Sequence, residues 1–228
     1  MCTVSFVPTI SGVIITSNRD ENILRGNTNY PLEYFENKVS HVYPKDEKGS
    51  GTWIGYNEFN YVAVLLNGAF EKHVSKPPYK QSRGKIIPTI LSCNNPTLAV
   101  EQINFIGIEP FTLILYGNKS LVEYKWDGNK LHSNFLHSNQ CYLWNSATLY
   151  SKEMEVQNQK ELNYLCSSLT SKNDVFDFHY SKKYELQLPQ NSALNNIKTV
   201  SITQVIIVQN HAEMVYKDLA EISILQHQ

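Results

Sequence analysis

Arginine is nearly missing from this 228-residue chain, occurring only at Arg19, Arg25 and Arg83 against abundant lysine and asparagine. Lysine therefore serves wherever a bare positive charge suffices, and each arginine marks a place where a planar, forked donor matters. Net charge is equally scarce: Lys+Arg 20 against Asp+Glu 21 leaves -1, with no basic surplus to neutralise phosphates, so no nucleic-acid partner is expected. The cysteines, Cys2, Cys93, Cys141 and Cys166, form no CxxC pair and no short ligand spacing, which indicates neither a zinc site nor a disulfide scaffold. An HExxH helix and a glycine-rich phosphate loop are missing, and the seven histidines are scattered without ligand spacing, so no metal and no cofactor is expected. No apolar run approaches the roughly 20 residues of a membrane span. The N-terminus lacks the basic and apolar regions of a secretory signal, and the expected setting is cytoplasmic.

What is present is a chain with 42% hydrophobic residues, enough for a sizeable core, read as one domain over residues 1–228. Thr3 to Val7 and Val13 to Ser17 are β-branched-rich runs joined through Pro8–Gly12, a β-hairpin. Asn18 to Lys48 is polar and weakly periodic, read as a long surface excursion. A second hairpin joins Gly51–Tyr56 to Tyr61–Leu66 through Asn57–Asn60. His73 to Gln81, with Pro77-Pro78, reads as loop. Ser82 is the N-cap of one expected helix, with Pro88 an irregularity in it. Asn95 caps another that starts at Pro96 and runs to about Phe105. Phe111–Tyr116 and Leu121–Trp126 read as strands before an Asp127-Gly128 turn. The longest helical candidate spans Ser151–Leu169, its apolar face supplied by Met154, Val156, Leu162, Leu165 and Leu169. Val200–Val208 and Glu213–Tyr216 close the chain with a hairpin around Gln209–Ala212. Strand pairs at both ends with helices between them imply an α+β or layered α/β architecture.

Cys2 carries the chemical interest. A cysteine in a strand is most often a small buried hydrophobe, but removal of the initiator methionine would place a free α-amine beside this thiol. An amine with a pKa of about 7.7–8.0 serves as base for a thiol of about 8.5 without a histidine. A hairpin turning at Ile10-Ser11 brings Cys2 opposite Arg19, within a residue or two of register. Asn18-Arg19-Asp20-Glu21 then sets a guanidinium and two carboxylates beside the cysteine: Arg19 to stabilise a thiolate, Asp20 to hold the amine or orient a water.

Met-Cys at the start, Asn18-Arg19-Asp20-Glu21, Gly51-Thr52-Trp53-Ile54-Gly55, Ser82-Arg83-Gly84 and Leu143-Trp144-Asn145-Ser146-Ala147 together resemble the NRDE family, the transport and Golgi organization protein 2 family. The similarity runs in order across nearly the whole chain. It implies the N-terminal-nucleophile hydrolase fold, a four-layer αββα sandwich of two packed sheets with Cys2 at one strand end. Cysteine enzymes of that superfamily cleave non-peptide amides through a thioester. By that similarity Cys2, Arg19 and Asp20 are catalytic candidates, and Asn67 and Asn145 are candidates to hold the oxyanion, although both also suit turns. Asn18, Glu21, Trp53 and Arg83, from the same motifs, are the candidate substrate-binding residues. One departure stands out: related hydrolases place a further arginine before the last hairpin, where this chain has Lys198-Thr199-Val200-Ser201-Ile202-Thr203.

Two functions follow. The first is a hydrolase of a linear amide or acyl ester/thioester through a Cys2 acyl-enzyme, with a small-molecule substrate. The second is a non-catalytic carrier or trafficking protein for a hydrophobic ligand such as haem or an acyl conjugate, since one scaffold hosts many functions.

Overall fold

The computed structural model describes residues 2–25, 28–167, 171–183, 196–209 and 211–219. Alternation of side chains along strands builds its layers. Along β1 (Cys2–Pro8) and β2 (Gly12–Asn22), Val4, Phe6, Val13 and Ile15 pack into one core, while Val7 and Ile14 pack into another. Such period-2 partition means that both faces of the sheet are covered. β6 (Val62–Asn67) behaves alike: Val62, Val64 and Leu66 join the first core, Ala63 and Leu65 a third.

Two antiparallel sheets result. One has five strands in the order β10-β1-β2-β11-β12, the other seven, in the order β3-β4-β5-β6-β7-β8-β9. The remaining strands are β3 (Thr28–Glu36), β4 (Val39–Asp46), β5 (Ile54–Asn57), β7 (Phe111–Gly117), β8 (Ser120–Trp126), β9 (Leu131–Leu136), β10 (Tyr142–Asn145), β11 (Ile197–Val208) and β12 (His211–Asp218). The central core lies between the sheets. Helices α1 (Ile86–Leu91) and α2 (Pro96–Gln102) cover the seven-stranded sheet; α3 (Lys152–Ser167) and α4 (Lys172–Ser181) cover the five-stranded one. This is the α+β, four-layer αββα sandwich that the family resemblance implies. No helix among the described residues is long and apolar enough to cross a membrane.

Several local expectations need correction. The segment from Asn18 to Lys48 is not a surface excursion: β2 continues to Asn22, and β3 and β4 follow. β3 is an edge strand with Tyr30, Leu32 and Phe35 exposed, so it lacks the apolar signature of a buried strand. In β4 the alternation of Val39, His41 and Tyr43 was present but masked by polar neighbours. β9, β10 and α4 were not anticipated; β9 is largely exposed, and α4 is announced only by the capping box of Ser171 with Asp174. The helix expected at Ser82 opens as a 3-10 turn, Arg83–Lys85, before α1, and Pro88 falls in the first turn, where its missing N–H has no partner to lose. In α3, Leu162 is buried but Met154 and Val156 are exposed, so the helix turns a narrower face inward than its composition suggested; Leu169 lies outside the described residues. Finally, Cys141 and Cys166 are joined in a disulfide tying the residue before β10 to α3. Their 25-residue separation hid in sequence what the packing of α3 on β10 brings together.

Candidate active site

The β1–β2 hairpin pairs Cys2 with Arg19 and Thr3 with Asn18. On its far side β1 pairs with β10, setting Thr3 opposite Asn145. β2 pairs with β11, setting Asp20 opposite Thr199 and Arg19 opposite Ser201, with a bulge between Thr199 and Ser201. Bulges of this kind re-aim side chains at strand ends.

Strand parity then divides the four signature residues. Arg19 and Glu21 share the face of Val13 and Ile15, toward the other sheet; Asn18 and Asp20 share the face of Ile14, toward the helices. On the first face the buried guanidinium of Arg19 lies 4.7 Å from the ring centroid of Trp53 and donates to Asp46. Arg25 reaches the same Asp46 oxygen at 3.0 Å and the Glu21 carboxylate at 3.4 Å, while Arg19 stands 4.0 Å from Glu21. Burial pushes the Asp46 carboxyl up, but the Gly49 N–H, the Arg25 bond and the charges of Arg25 and Arg19 outweigh it and hold Asp46 below the usual carboxylate range. These groups line a cavity of about 100 Å³ that also reaches Asn67, Thr52 and Arg83. Arg83 donates to the Pro110 carbonyl at 3.0 Å and pairs with Glu109 at 3.0 Å. Part of the wall is two backbones in contact: Thr52 N–H donates to the Gly84 carbonyl, and a Cβ on Gly51 would stand 2.4 Å from the Gly84 carbonyl carbon, so only glycine fits there.

On the opposite face Asp20 is fully buried, accepting from Thr199 Oγ1 at 2.6 Å and Tyr150 Oη at 2.9 Å. Burial raises its pKa to about 6, against the lowering effect of those hydrogen bonds. Asn18 does not enter the cavity. Its Nδ2 donates to the His179 carbonyl at 2.9 Å, which leaves Oδ1 to accept from His179 Nδ1 at 2.8 Å. His179 Nε2 is therefore the acceptor for Ser5 Oγ at 2.7 Å. Burial depresses the pKa of His179 to about 3, so the ring is neutral. Ser5, His179 and Asn18 have the order of a nucleophile–base–orienter relay, yet all three are 0% exposed, beyond a substrate's reach.

Of the sequence candidates, Arg19, Glu21, Trp53, Asn67 and Arg83 converge on one cavity, with Cys2 paired in register to the first of them. Asp20 and Asn18 sit on the helix-facing side of the same strand. Asn145, opposite Thr3, donates from Nδ2 to Thr3 Oγ1 at 2.8 Å, and its buried Oδ1 has no hydrogen-bond partner among the described residues. Ser146 Oγ donates to the Asn67 carbonyl at 2.9 Å, tying the end of β10 to the end of β6. Lys198 is exposed on β11, paired in register with Glu21. Sequence reasoning missed Arg25, Asp46, Tyr150, Thr199 and His179. Arginine scarcity pointed to Arg25, and Asp46 had a local turn contact with the Gly49 N–H; Tyr150, Thr199 and His179 had no local signal, since the partners named above lie 130 to 179 positions away. No three His, Cys, Asp or Glu side chains gather as a metal site among the described residues.

Solved structures share this architecture at low identity. A mutant of conjugated bile acid hydrolase from Clostridium perfringens superposes with a TM-score of 0.61 at 9% identity, covering 97% of this chain and 93% of that one. Penicillin V acylase from Agrobacterium tumefaciens gives 0.60 at 13%, covering 97% and 87%. The Caenorhabditis elegans orthologue of N-acylethanolamine-hydrolyzing acid amidase gives 0.57 at 14%, covering 90% and 92%. The fold is that of the N-terminal-nucleophile hydrolases. No curated protein matches the chain in sequence. The family model of Transport and Golgi organisation 2 matches residues 1–221, and the chain belongs to that family.

Proposed function

We propose that the protein is an N-terminal-cysteine hydrolase of small acyl compounds, acting on a linear amide or acyl ester/thioester bond. The observation that carries this reading is the pairing of Cys2 with Arg19 at the end of β1, beside an Asp20 that the fold buries and holds with two hydrogen bonds. Cys2 is in register with Arg19, which lines the cavity. The names of the structural neighbours, a hydrolase, an amidase and an acylase, agree with it.

The mechanism requires that Met1 be removed, so that Cys2 bears a free α-amine. The amine takes the thiol proton, and sulfur attacks the substrate carbonyl to form a C–S bond and an oxyanion. Arg19 favours the thiolate, and the carboxylate of Asp20, ionised at neutral pH, holds the α-ammonium. Asn67, at the cavity, and Asn145, beside Thr3, are the donors proposed for the oxyanion; one such donor is typically worth about 3 kcal/mol of transition-state stabilisation. Collapse breaks the bond to the leaving group, which departs with the proton from the ammonium. Water, deprotonated by the same amine, then cleaves the thioester, releasing the acid and the thiol.

Intact mass tests this first: the protein isolated from cells should begin at Cys2, and retention of Met1 would sink the mechanism. A panel of acyl-amides, thioesters and lactones should then leave an acyl adduct on Cys2, and Cys2→Ala should abolish turnover with substrate binding nearly unchanged. The carrier reading has one observation on its side, the exposed Lys198 where related hydrolases have arginine. Tight haem binding by Cys2→Ala, with no adduct on the parent across the panel, would favour the carrier.

A further inference from the structure

All three arginines of the chain line the cavity beside Arg19, and none of its lysines does. A protein that uses lysine for charge everywhere else has placed guanidinium groups in one spot, and guanidinium differs from ammonium in offering two parallel N–H bonds to a planar oxyanion. Their known partners do not exhaust them. Arg19 meets Asp46 through Nη2, Arg25 meets Asp46 and Glu21 through Nε, and Arg83 meets Pro110 and Glu109 through its two Nη atoms. Both Nη groups of Arg25 remain without a protein partner among the described residues. Glycine at position 49 brings the chain alongside one of them: a Cβ there would stand 3.4 Å from Arg25 Nη2 and 3.5 Å from Ser82 Oγ.

Size and charge narrow the ligand. The cavity, about 100 Å³, is small and admits a few waters or a planar group such as a carboxylate. Three guanidiniums meet three carboxylates at or just behind the lining, Glu21, Asp46 and Glu109, the last held by Arg83 at 3.0 Å and by His73 at 3.1 Å. With those charges balanced, the Nη fork of Arg25 is what faces a ligand, and one fork matches one planar carboxylate.

We propose that this cavity is an acid-recognition subsite, so that the substrate class is acyl compounds bearing a free carboxylate, held chiefly by Arg25 with Arg83. The inference rests on the hydrolase reading of the same site but does not need its chemistry for its test. In Cys2→Ala protein, calorimetry should show N-hexanoylglycine binding at least about tenfold more tightly than the neutral N-hexanoylglycinamide, the margin of one charge-assisted bidentate pair. Arg25→Lys keeps the charge and loses the fork, and should remove most of that preference with the far-UV spectrum unchanged. Arg83→Lys is the second variant; should it not fold, the result for Arg25, which is partly exposed, decides. Equal affinity for acid and amide overturns the proposal, as does a preference that survives Arg25→Lys. Inorganic phosphate binding as tightly as the acid overturns the choice of carboxylate. Acid preference without any Cys2 adduct in the parent would keep the subsite and reject the hydrolase; an adduct without acid preference would do the reverse.

Discussion

The two helical layers cover their sheets by different chemistry. Over the seven-stranded sheet, α1 presents Ile86, Ile87, Ile90 and Leu91, all buried against Leu65, Leu113 and Leu115. Over the five-stranded sheet the apolar contribution is small, mainly Leu162 and Val175, and much of the interface is hydrogen-bonded. His179 of α4 is held by Ser5 and Asn18, the Lys172 carbonyl of α4 accepts from Gln204, and Tyr150, just before α3, donates to Asp20; Thr16 and Thr199 complete these contacts from within the sheet. Hydrocarbon packing stabilises without direction, whereas a buried polar contact contributes little net energy and fixes orientation. The sheet that carries Cys2, Arg19 and Asp20 is the one covered by the directional layer.

The largest effect expected from this contrast is at Ile90. Ile90→Ala should lower stability by about 2–5 kcal/mol through lost transfer energy and a cavity, measured by denaturant titration, with Cys2 reactivity in the remaining folded protein unchanged. His179→Leu should cost less, about 1–3 kcal/mol, because it leaves the polar groups of Ser5 and Asn18 unsatisfied. Unlike Ile90→Ala, it should also slow Cys2 acylation, since Asn18 directly precedes Arg19 on β2 and pairs with Thr3, the residue after Cys2. A His179→Leu protein as stable and as reactive as the parent would break the comparison.

The same layer sets a pH signature. His179 has a folded pKa of about 3, below its ordinary value of 6.5, so its contribution is complete above about pH 6.5 and is lost as pH falls toward 3. Asp20 has a folded pKa of about 6, above its ordinary 3.8, so its effect has the opposite sign: most favourable below pH 3.8 and lost as pH rises to 6. Each slope is about 1.4 kcal/mol per pH unit, and between pH 4 and 6 the two offset. Asp20→Asn should therefore unmask stability that rises with pH across that interval, and His179→Leu stability that falls. Parallel unfolding curves for both variants would refute the assignment. The smallest effect belongs to Thr199→Val, about 1 kcal/mol. Loss of its hydrogen bond should move the Asp20 carboxyl further upward, visible by carboxyl NMR.

These particulars show where sequence reading succeeds. The hairpin around Ile10-Ser11 was legible because β-branched runs and a turn define register locally, and Cys2 does pair with Arg19. Asn95 and Pro96 likewise mark α2, with the Asn95 side chain accepting from Leu98 N–H. β3 was illegible because an edge strand has no buried face to stamp a pattern on it. The burial of Asn18 was illegible because a polar residue in a signature motif looks the same whether it meets a ligand or a buried histidine 161 positions away.

By itself the sequence determined the pairing of β1 with β2, the core alternation that makes two sheets, and the concentration of guanidinium in three places, since each depends on neighbours or on composition. Tertiary structure alone decided which face each signature residue occupies, the disulfide between Cys141 and Cys166, and the meeting of Arg19, Arg25 and Arg83 at one cavity. Those outcomes depend on how β2, β4 and the turn before α1 pack together, and contacts between segments far apart in the chain leave no periodicity in any one of them.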